Sequence, residues 1–226
     1  NDTAAILSGD SMLLLAYEFL SHAPADKLPV MLATFTEMAK EICDGQQYDL
    51  GFETRENVTE AEYLNMIRLK TSVLLATSLR LGAYLAGASE EDQENLYAYG
   101  EKMGLAFQLQ DDLLDVYADE SLFGKKIGGD ICCNKKTFLL ITAMNIASPE
   151  QLAEMKKWMA KSQFNAEEKV ACFTRIYDEL GVRDICEKRI QALFDECDQY
   201  IANVSVVPEK KKFLKEFADS LLNRNL

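Results

Sequence analysis

The sequence predicts an all-α fold, and three observations carry that prediction. Gly (11) and Pro (4) are scarce among 226 residues. Apolar residues recur with a period near 3.6 over long stretches, while runs of alternating β-branched residues do not stand out. Helix start signals open one stretch after another. Apolar residues make up 48% and charged residues 27%, an ordinary globular balance with length for one large domain.

Residues 3–20 and 25–48 follow the helical period. Thr59-Glu60-Ala61-Glu62 has the form of a capping box and opens a periodic stretch to about residue 86, closed by Gly87. Ser89, followed by three acidic residues, opens the next helix, which runs through Asp111, Asp112 and Asp115. Ser148-Pro149-Glu150-Gln151 combines a cap, a proline at the first helical position and Gln at the third. Asn165 opens a helix that Gly181 closes, and Pro208 precedes an amphipathic one with Phe213, Leu214, Phe217, Leu221 and Leu222 along one side. The one sizeable loop expected covers residues 120–134. With no repeat, low-complexity tract or linker, residues 1–226 read as a single all-α domain around a shared interior.

The net charge of −13 gives no electrostatic footprint for nucleic acid and, on average, repulsion from anionic membrane. An anionic ligand would need local lysines or divalent metal to reverse the field. Six cysteines form no CxxC pair, and His22 is the single histidine. Structural zinc and a disulfide framework are therefore not expected, and reduced thiols suggest a cytoplasmic protein. The N-terminal residues show no signal-peptide pattern, and no apolar run reads as membrane-spanning, so stable insertion is not expected.

Four polar elements stand out, three on helices that otherwise read as apolar and one in a loop. In "FQLQDDLLD", helical geometry puts Gly104, Phe107, Gln108, Asp111 and Asp115 on one side, with Asp112 at its edge. Leu105, Leu109, Leu113 and Val116 cover much of the rest. A solvated polar face is the bland alternative, but like charges four apart repel unless something positive binds them. Carboxylates at that spacing suit Mg²⁺, which takes hard oxygen ligands and is usually shared with substrate phosphates. Lys70 shares a helix face with Tyr63, Met66, Ile67 and Leu74, as either a snorkelling lysine or a cation aimed into a cavity, with Thr71 beside it. In "DGQQYDL", Gln46 and Asp49 lie three apart, which alone reads as a helix C-terminus around Gly45. After the aspartates come Lys125, Lys126, Asp130, Lys135 and Lys136 among Gly124, Gly128 and Gly129. That loop lacks the Walker order; by itself it is an ordinary solvated surface loop, but directly after the aspartates it reads as a diphosphate clamp.

These segments resemble the motifs of the trans-isoprenyl diphosphate synthases (polyprenyl synthetases). "FQLQDDLLD" matches the family's second aspartate-rich motif, "GKKIGGD" its GKxxGxD loop, and "NKKT" the lysine-threonine segment after it. "GQQYDL" matches GQxxDL, "RLKTSVLL" the lysine-threonine helix, and "GDSMLLLAYEFL" the GDxLLxxAF helix. The resemblance implies an isoprenoid-synthase helical bundle around a central cavity, usually a homodimer. The implied reaction joins an allylic diphosphate to isopentenyl diphosphate, releasing pyrophosphate. By motif match, Asp111 and Asp115, supported by Asp112, would form the Mg²⁺ set. Lys70, Lys125 and Lys135 would hold the diphosphate. Phe107, Gln108, Thr71, Gln46 and Asp49 would line the cavity near the reacting carbons. Lys70, Thr71, Gln108 and Asp111 would carry the catalysis.

The family also has a first aspartate-rich motif upstream, and no second DDxxD occurs in these residues. Leu139 stands where family members often have proline. The expectation is therefore a segment lacking the family's N-terminal part, with little or no condensation activity alone and no legible product length. A non-catalytic partner subunit and a class I terpene cyclase are the competing readings.

Overall fold

The computed structural model describes residues 1–118 and 127–222. Among them every regular element is helical: α1 (Asp2–Ser21), α2 (Leu28–Thr54), α3 (Glu60–Ile67), α4 (Val73–Leu85), α5 (Glu90–Tyr117), α6 (Gly129–Cys132), α7 (Phe138–Ile146), α8 (Pro149–Met159), α9 (Ala166–Leu180), α10 (Val182–Asn203) and α11 (Pro208–Leu222). A single π turn, Arg68–Ser72, joins α3 to α4 without a break in the helical path.

The caps form as their chemistry requires. Thr59 Oγ1 accepts from Glu62 N at 3.2 Å while Glu62 Oε2 accepts from Thr59 N at 2.9 Å, and Ser148 and Gln151 repeat that exchange before α8. Gly181 ends α9 with φ +66°, a left-handed conformation that a side chain would strain.

Helix α5 is the centre of the bundle, packed between α4 and α10. Leu105, Leu109, Leu113 and Val116 are all buried, and each such side chain contributes about 1.5–3 kcal/mol of hydrophobic stabilisation. They meet Cys186, Ile190, Leu193, Phe194 and Ile201 of α10 in one core cluster. On the opposite side α5 approaches α4 at glycines. A Cβ on Gly104 would lie 2.6 Å from Ser72 Cα, and one on Gly100 would lie 2.7 Å from Ala76 Cα. This close crossing sets α5 against the π turn and brings Gln108 beside Thr71.

Several expectations are corrected. The second helix does not span 25–48 but runs from Leu28 to Thr54, with Pro29 in its first turn. Gly45 is therefore no helix terminus. It is buried in mid-helix, where a Cβ would lie 2.4 Å from Lys70 N. The expected uninterrupted helix after Thr59 contains the π turn, and part of the expected loop 120–134 is the short helix α6. The apolar side of α11 divides: Leu214 and Leu221 pack on the core, whereas Phe213 and Phe217 stack on each other and are exposed. Helix α1, contrary to the reading that no run reaches spanning length, is long and apolar enough to cross a membrane by length and composition. Asp2, Asp10 and Glu18 are the charged residues of that run.

Candidate active site

The site assembles on the side of α5 away from α10. The π turn inserts one residue into the helix, marked by the Val73 N–H bond back to Arg68 O. Such bulges re-aim side chains and are frequent at functional sites. Here it presents Lys70 and Thr71 toward α2 and α5. Lys70 Nζ reaches Asp49 Oδ2 on α2 at 2.6 Å, and both side chains are about a quarter exposed. Gly45, one turn before Asp49, lets the α2 backbone lie directly on the Lys70 backbone.

Thr71 Oγ1 donates to Gln108 Oε1 at 3.3 Å, and Gln108 Nε2 donates to Asp112 Oδ1 at 3.4 Å. Asp112 also accepts from the Tyr63 hydroxyl and, at 3.3 Å, from Phe138 N. Burial pushes the Asp112 carboxyl up to about 7, even though the Tyr63 hydrogen bond pulls it down. Burial likewise drives the Tyr63 hydroxyl well above its ordinary range. Asp112 thus faces the core with both oxygens engaged, and fixes the Gln108 amide.

Asp111 and Asp115 lie one turn apart on the half-buried face of α5. Among the described residues no hydrogen bond or ion pair reaches the Asp111 carboxylate. Asp115 Oδ2 accepts from Asp130 N at 3.0 Å, and Gly128 N donates to the Asp115 carbonyl at 2.6 Å. A Cβ on Gly129 would come within 3.3 Å of Asp115 Oδ1. The glycine pair thereby lets the loop backbone close over this aspartate. Burial, together with the Asp130 charge, raises Asp115 above the usual carboxylate value.

Lys135 pairs with Asp130 at 3.2 Å. Burial lowers its affinity for a proton, but the charges of Asp130, Asp112 and Asp49 outweigh burial and hold the ammonium above its ordinary value. Lys135, Asp49 and Asp130 line one cavity of about 680 Å³ with Phe52, Lys136 and Asn134. Its mouth therefore mixes two lysines with the aspartates. Lys125 and Lys126 lie outside the described residues.

Gln46 is exposed on α2 and Phe107 half-buried on α5. Sequence reasoning missed Tyr63, Asp130 as partner of both Asp115 and Lys135, and the backbone donor Phe138. Tyr63 was visible only as one apolar member of a helix face. Nothing local marks a hydroxyl that meets a carboxylate 49 residues later. The glycines at 128 and 129 were the one available signal for the loop.

The donor set fits Mg²⁺. Asp111 and Asp115 offer hard carboxylate oxygens at helical spacing on a half-buried face. Mg²⁺ takes such oxygens, keeps several waters and is usually shared with substrate phosphates.

The all-helical bundle, with polar groups aligned along one side of its central helix, has the isoprenoid-synthase fold of the solved synthases it superposes on. The comparisons make the assignment narrower. The polyprenyl synthetase family profile matches residues 1–177, and the chain belongs to that family. Geranylgeranyl diphosphate synthase of Methanosarcina mazei is 34% identical over 225 residues, covering 99% of this chain and 67% of the relative. Geranylfarnesyl diphosphate synthase of Natronomonas pharaonis is 33% identical, covering 98% and 63%. Among solved structures, a geranylgeranyl pyrophosphate synthase superposes with a TM-score of 0.91 at 38% identity, covering 98% of this chain and 68% of that one. The Corynebacterium glutamicum enzyme, complexed with isoprenyl diphosphate and magnesium, gives 0.88 at 30% identity, covering 99% and 64%. The chain thus spans about two thirds of the length of these relatives.

Proposed function

We propose that the chain supplies the diphosphate-binding wall of a Mg²⁺-dependent trans-prenyltransferase, which condenses an allylic diphosphate with isopentenyl diphosphate. The observation that carries this reading is the cavity lined by Asp49, Asp130 and Lys135, where Asp49 pairs with Lys70 and Asp130 with Lys135 and the Asp130 backbone holds Asp115 of α5. The family membership and the likeness to synthases of geranylgeranyl and geranylfarnesyl diphosphate support it.

In this reading Asp111 and Asp115 hold the metal, and Asp112 is a positioning residue. Bound Mg²⁺ would neutralise charge developing on the departing diphosphate. Lys70 and Lys135 take hold of the same oxygens as point charges, exchanging their contacts with Asp49 and Asp130. The Thr71 hydroxyl and Gln108 amide, held in line by Asp112 and Tyr63, turn fixed dipoles toward the allylic carbon. Phe107 and Gln46 line the approach, and by motif match Lys125, outside the described residues, would add a third cation. Preorganised dipoles in a site that excludes water stabilise the cation more than solvent would.

The test is incubation with Mg²⁺, an allylic diphosphate and labelled isopentenyl diphosphate. Joined to an upstream aspartate-rich motif, these residues should place label in a longer prenyl diphosphate with release of pyrophosphate. Residues 1–226 alone, which hold one such motif, should give little or none. An unlabelled cyclic hydrocarbon would point instead to a terpene cyclase, and robust turnover by residues 1–226 would contradict the need for two motifs. A stoichiometric complex with another, active synthase would favour a non-catalytic subunit. We place the protein in the cytoplasm, in line with its free thiols, and as a homodimer in which a second copy covers the apolar side of α1.

A further inference from the structure

Lys169 is the most unusual charged residue outside the site. It projects from α9, is 0% exposed, and among the described residues pairs with no carboxylate. Its ammonium donates to Cys132 O at 3.1 Å and to Asn134 Oδ1 at 2.7 Å, and lies 4.3 Å from the centre of the Phe164 ring. Burial pulls its affinity for a proton below that of an ordinary lysine. A cation in such a place costs desolvation that a well-packed apolar side chain would avoid. Its contacts therefore show what it holds.

They hold the segment that delivers Lys135. Asn134 has φ +56°, the one positive φ at a non-glycine residue among those described. That conformation persists where the surroundings over-determine it. The surroundings do so from three directions. Asn134 Nδ2 donates to Met159 O at 3.0 Å at the end of α8, its Oδ1 accepts from Lys169, and its carbonyl accepts from Lys136 Nζ at 3.3 Å. One residue further on, Lys135 turns back so that its N–H reaches Asp130 O at 3.0 Å and its ammonium reaches Asp130 Oδ1. The backbone of Asp130 in turn holds Asp115.

We propose that Lys169 is a positioning residue for diphosphate binding: from outside the site, it fixes the Cys132–Asn134 turn that aims Lys135 and Asp130 at the cavity. The inference rests on the reading of Lys135 as a diphosphate ligand. Lys169 itself touches none of the cavity-lining aspartates and acts only through the turn.

The test uses residues 1–226, with inorganic pyrophosphate and Mg²⁺ titrated calorimetrically and amide hydrogen exchange followed across residues 132–137. Lys169→Met should keep the helical circular dichroism and a thermal midpoint equal to or above that of the parent. It should speed exchange of the Asn134, Lys135 and Thr137 amides and weaken pyrophosphate binding about tenfold to a hundredfold, as loss of an outer-shell partner does. Asn134→Gly keeps the left-handed backbone available while removing the acceptor, and should give a loss of the same order. The double variant should bind no more weakly than the weaker single variant, because the two residues act as one unit. Unchanged pyrophosphate affinity in Lys169→Met overturns the proposal. So does a loss that tracks only the unfolded fraction and is absent from Asn134→Gly. If the parent chain itself binds no pyrophosphate, the site reading fails and the positioning role falls with it; accelerated exchange in Lys169→Met would then show a tether of the fold alone.

Discussion

Helices α5 and α1 are both long and partly apolar, 28 and 20 residues, yet they end in opposite situations. α5 is enclosed by α4 on one side and α10 on the other, and buries thirteen of its residues, Asp112 and Gln110 among them. α1 buries none, with Leu14 at 70% and Phe19 at 75% exposure, and touches the rest mainly through Tyr17 against Phe35 and Thr36 of α2. The difference teaches that an apolar stripe becomes core only where the fold places something opposite it. The candidate site stands on the enclosed half, where glycines of α5 let it approach the π turn and α4 closely. The α1 face stays exposed apolar surface, the side that the proposed homodimer would cover.

The largest effect should come from the enclosed half. Asp111→Ala should weaken Mg²⁺-dependent pyrophosphate binding by about two to three orders of magnitude while circular dichroism stays that of the folded chain. Where the residues are joined to an upstream aspartate-rich motif, turnover should fall in step. Retained affinity would remove Asp111 from the site.

Glycine substitutions separate the two halves next. Gly45→Ala puts a methyl against the Lys70 backbone and should destabilise the chain by about 1–3 kcal/mol, as overpacking does. Gly9 of α1 has nothing within 4 Å of its Cβ position, so Gly9→Ala should stabilise by up to about 1 kcal/mol through helix propensity. Urea unfolding of both variants checks the contrast, and equal shifts of one sign would break it. On the α1 face, Leu14→Lys should move unfolding free energy by less than about 0.5 kcal/mol per chain and shift sedimentation from dimer toward monomer.

The smallest effect concerns acid. Asp92, at the start of α5, accepts from Ser205 Oγ and, at 2.7 Å, from Ser205 N. These bonds hold its carboxyl below the ordinary 3.8. Because the folded value is depressed, the unfolded chain takes up the proton first as pH falls. The contribution is present above about 3.8 and lost as pH drops through the folded value. Acid unfolding of the parent should therefore steepen below that pH relative to Asp92→Asn.

Much of the fold was legible because helix ends carry local chemistry. The boxes at Thr59 and Ser148, the cap at Asn165 and the stop at Gly181 each depend on residues within a turn. The candidate site was legible in part as residue types at helical spacing, which put Gln108, Asp111 and Asp115 on one side of a helix and Thr71 beside Lys70 on another. What stayed hidden depends on partners far apart in the chain. Gly45 looked like a terminus because its close neighbour is Lys70. Asp112 looked like an edge residue because Tyr63 and Phe138 come from other helices. The π turn left no mark beyond the placement of Lys70 itself.

In the proposed function Asp111 and Asp115 hold a metal–diphosphate group together with Lys70 and Lys135. Calorimetric titration of residues 1–226 with pyrophosphate, with and without Mg²⁺, tests it most directly. Saturable binding that requires Mg²⁺ and disappears in a folded Asp111→Ala/Asp115→Ala variant is the predicted result. Absence of binding, or binding indifferent to Mg²⁺ and to both aspartates, would contradict it.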